Sequence, residues 1–282
     1  MRGNRRPRRI QVAIVAALVL TVVPVVAAEE ADQPFADWRE NPGPAEDFLR
    51  SAPIVASERI PVGISRPWRL ELRQGDTEAR ASFKSIDIYE QKMEFDDGHV
   101  EFGFRDSYRS ELAAYRLDRL LGLGIVPPTV AREFKDEDGA VRLWIEGAMT
   151  ETERSRDKIH APDQAVWDRQ VADVRVFFNL TFNTDYNNIN NLLVDSGFRI
   201  IPIDHSRAFR TKKSLVAEQM MMRFSPDLLE RLEALDTDSL TDALGDLLSK
   251  SQIKALLKRR DLILVRADKL IELKGEEMIL LD

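Results

Sequence analysis

The order of apolar and polar residues divides the chain into a first part typical of β-structure and a later part with helical periodicity. Residues 79–88 begin with a strict alternation of apolar and polar side chains, which predicts a half-buried strand. Residues 60–73 have a strand-like composition, and the apolar runs 129–134 and 140–145 flank an Asp-Glu-Asp-Gly turn. The first part of the chain is therefore expected to form a small sheet.

Three regions carry apolar residues at the three- and four-residue spacing of amphipathic helices. Residues 107–121 have one apolar face, and Ser107 is a suitable cap for the start of this helix. Residues 163–182 and 226–274 repeat the pattern at greater length, and cap residues divide the second of these regions into three helices. The pattern predicts an α+β protein, with one helix beside the sheet and a larger helical part after it.

The first 28 residues have the composition of a targeting segment. They contain five arginines and no acid, and residues 10–26 are a mainly apolar run interrupted by Pro24. Small residues before Glu29 suit cleavage, so residues 1–28 are predicted to be a signal peptide for export to the periplasm, the secretory lumen or the outside. An uncleaved membrane anchor is the alternative, because such a run is at the lower limit for crossing a bilayer. We expect no other contact with a membrane.

Residues 29–57 are acidic and contain four prolines, which interrupt any long helix or strand. This composition predicts a linker, or a strap that lies on the surface of the domain. No residue type in this segment indicates chemistry. The folded domain is therefore expected to begin near residue 58.

Charge and composition narrow the classes of partner. The formal net charge is −7, and it becomes −12 for residues 29–282 because the N-terminal arginines are then absent. Such a chain is not expected to bind nucleic acid or anionic lipid nonspecifically. With no cysteine and only three histidines, the sequence excludes disulfides and argues against a structural zinc site.

The most informative stretch is 182–209, which contains a predicted hairpin with one acid before its first strand and another after its second strand. Two short apolar runs flank an Asp-Ser-Gly turn, Asp185 precedes the first run, and Asp204 follows the second. Because the two strands of a hairpin run side by side, we expect both carboxylates to lie near the same end of it. The hairpin therefore predicts a site with two acids.

The residues of this stretch suit phosphoryl transfer to a hydroxyl group. That reaction needs a carboxylate to orient the acceptor, and an amide oxygen with a second carboxylate to hold Mg²⁺ on the phosphates. An amide follows Asp185 after five or six residues, at Asn190 or Asn191. Asp185, one of these amides and Asp204 supply the three groups in the order found in kinases.

The segments NTDYNNINNLLVD and IDHSRAF resemble the catalytic and metal-binding loops of the atypical secretory-pathway kinases of the four-jointed and Golgi casein kinase type. They are similar also to phosphatidylinositol kinases and bacterial toxin kinases. The resemblance implies that Asp185 is the catalytic carboxylate and that Asn190 binds metal, with Asn191 as the alternative register. It also implies that Asp204 corresponds to the metal-binding Asp of Asp-Phe-Gly.

A lysine and a glutamate earlier in the chain complete the pattern of a kinase. Lys84 lies on a predicted strand, and Glu111 lies near the start of the predicted helix 107–121. The run ELAAYRLDRLLG followed by VPPTV resembles the same family, which implies that Lys84 binds nucleotide phosphate and Glu111 positions it. Arg207 and Arg210 are either further contacts for phosphate or an acidic acceptor, or surface charges.

The resemblance implies a two-lobed, protein-kinase-like fold, with an N-lobe at 58–148 and a C-lobe at 149–282. Residues 144–148 fall where a hinge that reads adenine is expected. ATP and Mg²⁺ or Mn²⁺ are the expected cofactors, and the expected reaction transfers the γ-phosphate to a hydroxyl in an exported compartment. Protein, sugar, lipid headgroup and small-molecule hydroxyls all remain open as acceptors.

A pseudokinase that acts as an extracytoplasmic binding or scaffold protein is the alternative function. No Gly-x-Gly-x-x-Gly motif precedes Lys84, and Tyr186-Asn187 replace the Arg-His that many relatives carry after the catalytic Asp. A periplasm is also expected to hold little ATP. A third possibility keeps the nucleotide and transfers another group from it, such as AMP.

Overall fold

The computed structural model describes residues 34–61, 66–95, 98 and 100–281. The predicted signal peptide, 1–28, and the glycine at position 63 lie outside these residues. Within the described part of the chain, no helix is long and apolar enough to span a membrane.

The first lobe is built on an antiparallel sheet. Its elements are α1 (Gly43–Ser51), β1 (Ile54–Arg59), β2 (Trp68–Gln74), β3 (Thr77–Lys84), β4 (Asp87–Glu94), β5 (Val100–Ser107), α2 (Tyr108–Leu121), β6 (Thr129–Phe134) and β7 (Glu137–Leu143). Five strands form one sheet in the order β1-β2-β3-β7-β6, while β4 and β5 pair only with each other. The strand predicted over 79–88 is therefore two strands, because the chain leaves the main sheet after Lys84 and starts the β4–β5 hairpin.

The segment predicted to be a linker or strap, 29–57, contains an ordered helix and the start of β1. Helix α1 places Ala45, Phe48 and Leu49 in the apolar core of the first lobe, where Trp38 is also buried. These side chains pack with the inner faces of the main sheet. The described part of this segment thus belongs to the hydrophobic core, and the prolines only mark the ends of its short elements.

Helix α2 joins the sheet to the helical lobe. Ser107 begins it as predicted, accepting a hydrogen bond from the Arg109 backbone at 3.2 Å, and Gly122 ends it with a left-handed backbone (φ 59°). Its buried residues, among them Leu117 and Leu121, belong to the core of the second lobe. Because one helix contributes to both the sheet side and the helical side, movement of α2 is coupled to both lobes.

The second lobe is mainly helical. Its elements are β8 (Met149–Thr150), α3 (Glu151–Arg156), α4 (Gln164–Thr181), β9 (Leu192–Val194), β10 (Ile200–Pro202), α5 (Pro226–Ala234), α6 (Thr237–Leu244), α7 (Lys250–Lys274) and α8 (Glu276–Ile279). The three short strands form a second sheet in the order β10-β9-β8. The hairpin predicted in 182–209 is therefore present, since β9 and β10 are its two strands.

Gly139 marks the tightest packing near the candidate site. A Cβ atom at this position would collide with the Lys84 carbonyl oxygen and the Phe83 ring. We expect Gly139→Ala to lower the free energy of unfolding by about 1–3 kcal/mol, as overpacked substitutions do. Urea unfolding measures this, with Gly43→Ala as the control because nothing lies within 4 Å of its added Cβ. Equal stability of the two variants would contradict the packing described here.

Candidate active site

Lys84, Glu111 and Asp204 meet in one cluster between the lobes, in which Lys84 and Glu111 are buried and the Asp204 side chain is 35% exposed. Lys84 is the last residue of β3, Glu111 lies in the first turn of α2, and Asp204 follows β10. The Nζ atom of Lys84 donates to Oε1 of Glu111 at 2.6 Å and to Oδ1 of Asp204 at 2.5 Å. Two carboxylates, 27 and 120 positions after Lys84 in the sequence, thus share its ammonium group.

The charges of this cluster keep each group ionised despite burial. Burial by itself lowers the pKa of Lys84, but the charges of Asp204 and Glu111 outweigh it and raise that pKa above its ordinary value. Burial raises and Lys84 lowers the pKa of the two carboxyls, with a net fall for Glu111 and a fall to about 2 for Asp204. The cluster is therefore one ammonium and two carboxylates at neutral pH.

Hydrogen bonds of the loop after β10 fix the positions of Asp204 and Glu111 relative to each other. Asp204 has a left-handed backbone (φ 62°), which a short polar residue tolerates better than a bulky one. This turn directs the His205 backbone N–H to Oε2 of Glu111 at 3.1 Å, and Ser206 Oγ donates to Asp204 Oδ1 at 3.1 Å. Ser107 at the start of α2 also donates its N–H to the Ser206 carbonyl at 2.9 Å. Two backbone N–H donors therefore tie helix α2 to the loop after β10.

The ring of His205 is fully buried beneath the cluster. Its Nε2 atom lies 3.2 Å from the Pro202 carbonyl oxygen, and the ring meets Phe177 edge-on. Burial lowers the pKa of His205 below its ordinary value, although the Glu111 charge opposes this. His205 is consequently a neutral support for the loop and has no open path to a ligand.

Asp185 lies on the turn between α4 and β9. The Asp185 N–H donates to Oδ1 of Asn183 at 3.0 Å, and Arg207 Nη1 donates to Oδ1 of Asp185 at 2.9 Å. Burial raises the pKa of Asp185, the Arg207 charge lowers it, and the net change is upward. The charges of Lys84 and Asp204 also act on the pKa of Asp185, Lys84 lowering it and Asp204 raising it. A raised pKa makes it a better proton acceptor than an exposed aspartate.

Arg207 is shared between the two lobes. Besides Asp185, it contacts Glu101 on β5, and the second oxygen of Glu101 contacts Arg210. Sequence reasoning named Arg207 and Arg210 but missed Glu101, because no motif connects a hairpin residue to a loop more than 100 positions later. Because Arg207 contacts both Glu101 and Asp185, it links Asp185 indirectly to the β4–β5 hairpin.

Two further charged residues near the cluster were also missed. Asp106, just before the cap of α2, is buried, and burial raises its pKa while a hydrogen bond from Ser206 opposes the rise. The charge of Arg142 on β7 acts on Lys84, Glu111 and Asp204. Arg142 lies on the strand beside β3, so strand pairing could have indicated it once the β3–β7 pair was known.

The two candidate amides have different environments. Asn190 is exposed, whereas the Nδ2 atom of Asn191 is buried and has no hydrogen-bond partner among the described residues. The Asn191 carbonyl accepts from Ile203 N–H at 2.8 Å, directly before Asp204. Asn190 and Asn191 both lie in a 3₁₀ turn directly before β9, and Leu193 on that strand packs against the first-lobe core. The two amides thus have different surroundings, and the choice between them as a metal ligand stays a prediction.

The predicted hinge lies where the chain passes from β7 to β8. The Trp144 N–H donates to the Arg80 carbonyl at 3.0 Å, and the Arg80 side chain pairs with Glu146. Gly147 has a left-handed backbone (φ 66°) that a side chain would strain. These contacts fix the first half of the segment to the sheet and let the second half turn toward the helical lobe.

Metal binding by protein groups alone is not supported. Within the part of the chain that the structure describes, no group of three or more histidines, aspartates and glutamates is arranged to hold a metal ion. Asp204 and Asn191 provide only one carboxylate and one amide on the cleft. Such a pair suits a metal that is held mainly by the phosphates of a ligand.

Comparisons with known proteins identify the fold. The sequence matches no protein-family model and no curated protein. The structure resembles that of a hydra Fam20 protein with sugar, at 16% identity and a TM-score of 0.60, over 83% of this chain and 90% of that one. It also resembles the Golgi casein kinase with Mn/ADP bound, at 16% identity and a TM-score of 0.58, over 87% and 79% of the two chains.

These similarities confirm the predicted fold class. The chain has a two-lobed, kinase-like α+β fold, and its structural neighbours are secretory-pathway kinases of the kind that the sequence motifs resemble. A proinflammatory kinase of Helicobacter pylori, CtkA, is a further neighbour at 13% identity and a TM-score of 0.49. At such low identities the likeness concerns the fold, and activity has to be argued from the site.

Proposed function

We propose that the protein is a metal-dependent phosphotransferase that moves the γ-phosphate of ATP to a hydroxyl acceptor. The observation that carries this proposal is the cluster in which Lys84 contacts both Glu111 and Asp204. A kinase requires such a lysine–glutamate pair to hold nucleotide phosphates, and a carboxylate beside it for metal. A purely structural role has no need for three charged groups at the meeting point of two lobes.

In this proposal, the cluster rearranges slightly when nucleotide binds. Lys84 exchanges its contact with Asp204 for the nucleotide phosphates, and Glu111 keeps the ammonium in place from the other side. The His205 N–H holds the second oxygen of Glu111, so the carboxylate stays oriented during the exchange. Asp204 is then free to act as a metal ligand.

The residues of the cleft fit Mg²⁺ or Mn²⁺ bound on phosphate. Both ions take oxygen ligands, and Mg²⁺ is usually held by one or two carboxylates together with substrate phosphates. We assign Asp204 and Asn191 as these ligands; the metal would take the Oδ1 atom of Asn191, and the buried Nδ2 atom of the same amide has no partner among the described residues that fixes its orientation. Bound metal would neutralise charge on the phosphate oxygens. The neighbouring Golgi casein kinase, whose structure holds Mn/ADP, supports the same cofactors.

Asp185 is proposed to orient the acceptor hydroxyl and take up its proton. Its raised pKa suits this role, and its side chain is 26% exposed and so within reach of an acceptor from solvent. Arg207 must loosen its contact with Asp185 for the carboxylate to accept a hydrogen bond from that hydroxyl. The segment 144–148 is proposed to contact adenine through its backbone.

The compartment and the acceptor are also proposals. The targeting composition of residues 1–28 and the secretory-pathway neighbours both support export. The sugar in the hydra Fam20 structure makes sugars, besides protein hydroxyls, reasonable first acceptors to test.

The test compares the protein with its Asp204→Ala variant, using γ-labelled ATP with Mg²⁺ or Mn²⁺. We expect nucleotide turnover and autophosphorylation in the wild type, and neither in the variant. ATP with Mn²⁺ should also raise the Tm of the wild type but not that of the variant. Asp268→Ala is the control, because this carboxylate is exposed on α7, away from the cleft. Full phosphotransfer by Asp204→Ala would overturn the assignment.

The pseudokinase alternative is favoured by one observation. Lys84 and Asp185 are both engaged in ion pairs within the protein, which leaves neither group free in this conformation. A scaffold of this kind would show no rise in Tm with ATP and metal and no turnover in either protein. The same experiment therefore decides between the two functions.

A further inference from the structure

A second charged cavity lies beside the candidate active site. It has a volume of about 370 Å³ and is enclosed by the β4–β5 hairpin, the segment 209–212 and the start of α7. The charged residues in its lining are all cations, namely Arg105, Arg210 and Lys212. In a chain with a net charge of −7, a cavity without any lining carboxylate is an unusual concentration of positive charge.

These cations are poorly compensated by the protein. Arg105 and Lys212 have no carboxylate partner among the residues that the structure describes, and Arg210 pairs only with Glu101 there. The Nε atoms of Arg105 and Arg210 are buried and have no hydrogen-bond acceptor. Burial lowers the pKa of Arg210, and the neighbouring Arg207 charge adds to that effect. Buried donors without acceptors call for a ligand that is not part of the protein.

We propose that this cavity binds a phosphate monoester group. Two guanidinium groups and an ammonium supply charged donors that match phosphate oxygens. Ser249 and Ser251 also line the cavity, at the N-terminus of the 25-residue helix α7, where the helix dipole favours an anion. The Ser249 hydroxyl itself is bound to Gln252 in the helix cap. The cavity volume is large enough for a phosphate group and a small organic group attached to it.

The phosphate site connects to the catalytic carboxylate through three side chains. Arg210 contacts Glu101, Glu101 contacts Arg207, and Arg207 contacts Asp185. A phosphate on Arg210 competes with the Glu101 carboxylate for that guanidinium, so it changes the pairing of Glu101 with Arg207 and, through Arg207, the surroundings of Asp185. This regulatory consequence rests on the proposed function, whereas phosphate binding itself does not.

Two sources can supply the phosphate group. One is a phosphorylated small molecule, whose organic part would cover the exposed rings of Tyr89 and Phe102 at the mouth of the cavity. The other is Thr211, an exposed residue in the cavity lining. In that case Thr211 Oγ1 forms a bond to the γ-phosphorus of ATP, the bond from that phosphorus to the bridging oxygen breaks, ADP leaves, and the hydroxyl proton passes to a carboxylate base.

The first experiment measures phosphate binding by thermal shift on the full chain. Inorganic phosphate and phenyl phosphate are titrated against chloride at equal ionic strength, with wild type, Arg105→Ala, Lys212→Ala and the control Lys269→Ala. We expect a saturable rise in Tm for wild type and the control, and a half-saturating concentration raised about tenfold or more in the two cavity variants. The Tm without phosphate shows that each variant is folded.

Equal phosphate responses in all four proteins, or none beyond the chloride control, would overturn the proposal. Phosphate at the Lys84 cluster gives a response that the cavity variants do not change, so the two sites are distinguished. The measurement needs no turnover, and Asp204→Ala should therefore bind phosphate in the cavity even though it is inactive. A working kinase without this response would refute the cavity site alone.

The second experiment separates the sources. The protein is incubated with ATP and Mn²⁺, and phosphorylated residues are mapped by mass spectrometry beside Thr211→Ala. Phosphate found on Thr211, with a weaker response to added phosphate afterwards, identifies the chain itself as the source. An unmodified Thr211, with an intact phosphate response in Thr211→Ala, identifies a small phosphorylated molecule.

Discussion

Replacing Asp185 with Asn is expected to slow phosphotransfer by about 10²- to 10⁴-fold, the contribution typical of a positioned general base. The amide keeps the shape of the side chain and can still contact Arg207, but it cannot accept the acceptor's proton. In the proposed function, binding of ATP and Mn²⁺ depends on Lys84, Asn191 and Asp204, so the rise in Tm with nucleotide should be unchanged. Single-turnover transfer from γ-labelled ATP gives the rate, and thermal shift gives the binding.

Comparison with Asp204→Ala separates a role of Asp185 in transfer from a role in nucleotide binding. That variant should lose nucleotide binding and transfer together, whereas Asp185→Asn should lose transfer alone. Asp268→Asn is the matched control for removal of one negative charge, since Asp268 is exposed on α7. Transfer at the wild-type rate by Asp185→Asn would show that another group takes the proton, and Asp106 would become the next candidate because its pKa is also raised.

Replacing Lys84 with Ala is expected to lower the free energy of unfolding by about 3–5 kcal/mol, as loss of one partner from a buried ion pair does. Glu111 is only 3% exposed, and without Lys84 it becomes a buried carboxylate with no cation in contact. The cost arises from this unpaired charge more than from the lost contact. Urea unfolding at neutral pH measures the change.

A double variant and a surface control test that reason. Lys84→Met combined with Glu111→Leu removes both charges at similar volume, so it should be clearly more stable than Lys84→Ala and equally inactive. Lys92→Ala removes a lysine from an exposed pair with Glu94, where a change of about 1 kcal/mol or less is expected. If the double variant were as unstable as Lys84→Ala, the unpaired carboxylate would not be the cause.

Several parts of the site were predictable because they follow from local patterns. Asp185 precedes the first strand and Asp204 follows the second strand of a hairpin, and this hairpin is visible in the sequence as two apolar runs with turn residues between them. Glu111 lies one turn into a helix with a clear cap and an apolar face. In each case the chemistry depends on a residue whose position is set by neighbours in sequence, so a motif identifies it.

The choice between the two amides was not predictable in this way. Asn190 and Asn191 are adjacent, of one type and in the same short turn before β9, so no local pattern separates them. Their different surroundings are visible only in the tertiary structure, where Asn190 is exposed and the Nδ2 atom of Asn191 is buried. Glu101 was missed for a similar reason, since its partners Arg207 and Arg210 reach it only after the lobes fold together.

The sequence by itself determined the α+β class and marked the four charged residues Lys84, Glu111, Asp185 and Asp204 as candidates. Tertiary structure decided that Lys84 contacts two carboxylates at once, that Asn191 is partly buried while Asn190 is exposed, that helix α1 belongs to the core, and that three cations line one cavity. The physical reason is the separation in sequence over which each effect acts. Periodicity and capping act over a few residues, whereas pairing of charges and burial depend on distances in space between segments that can be more than 100 residues apart.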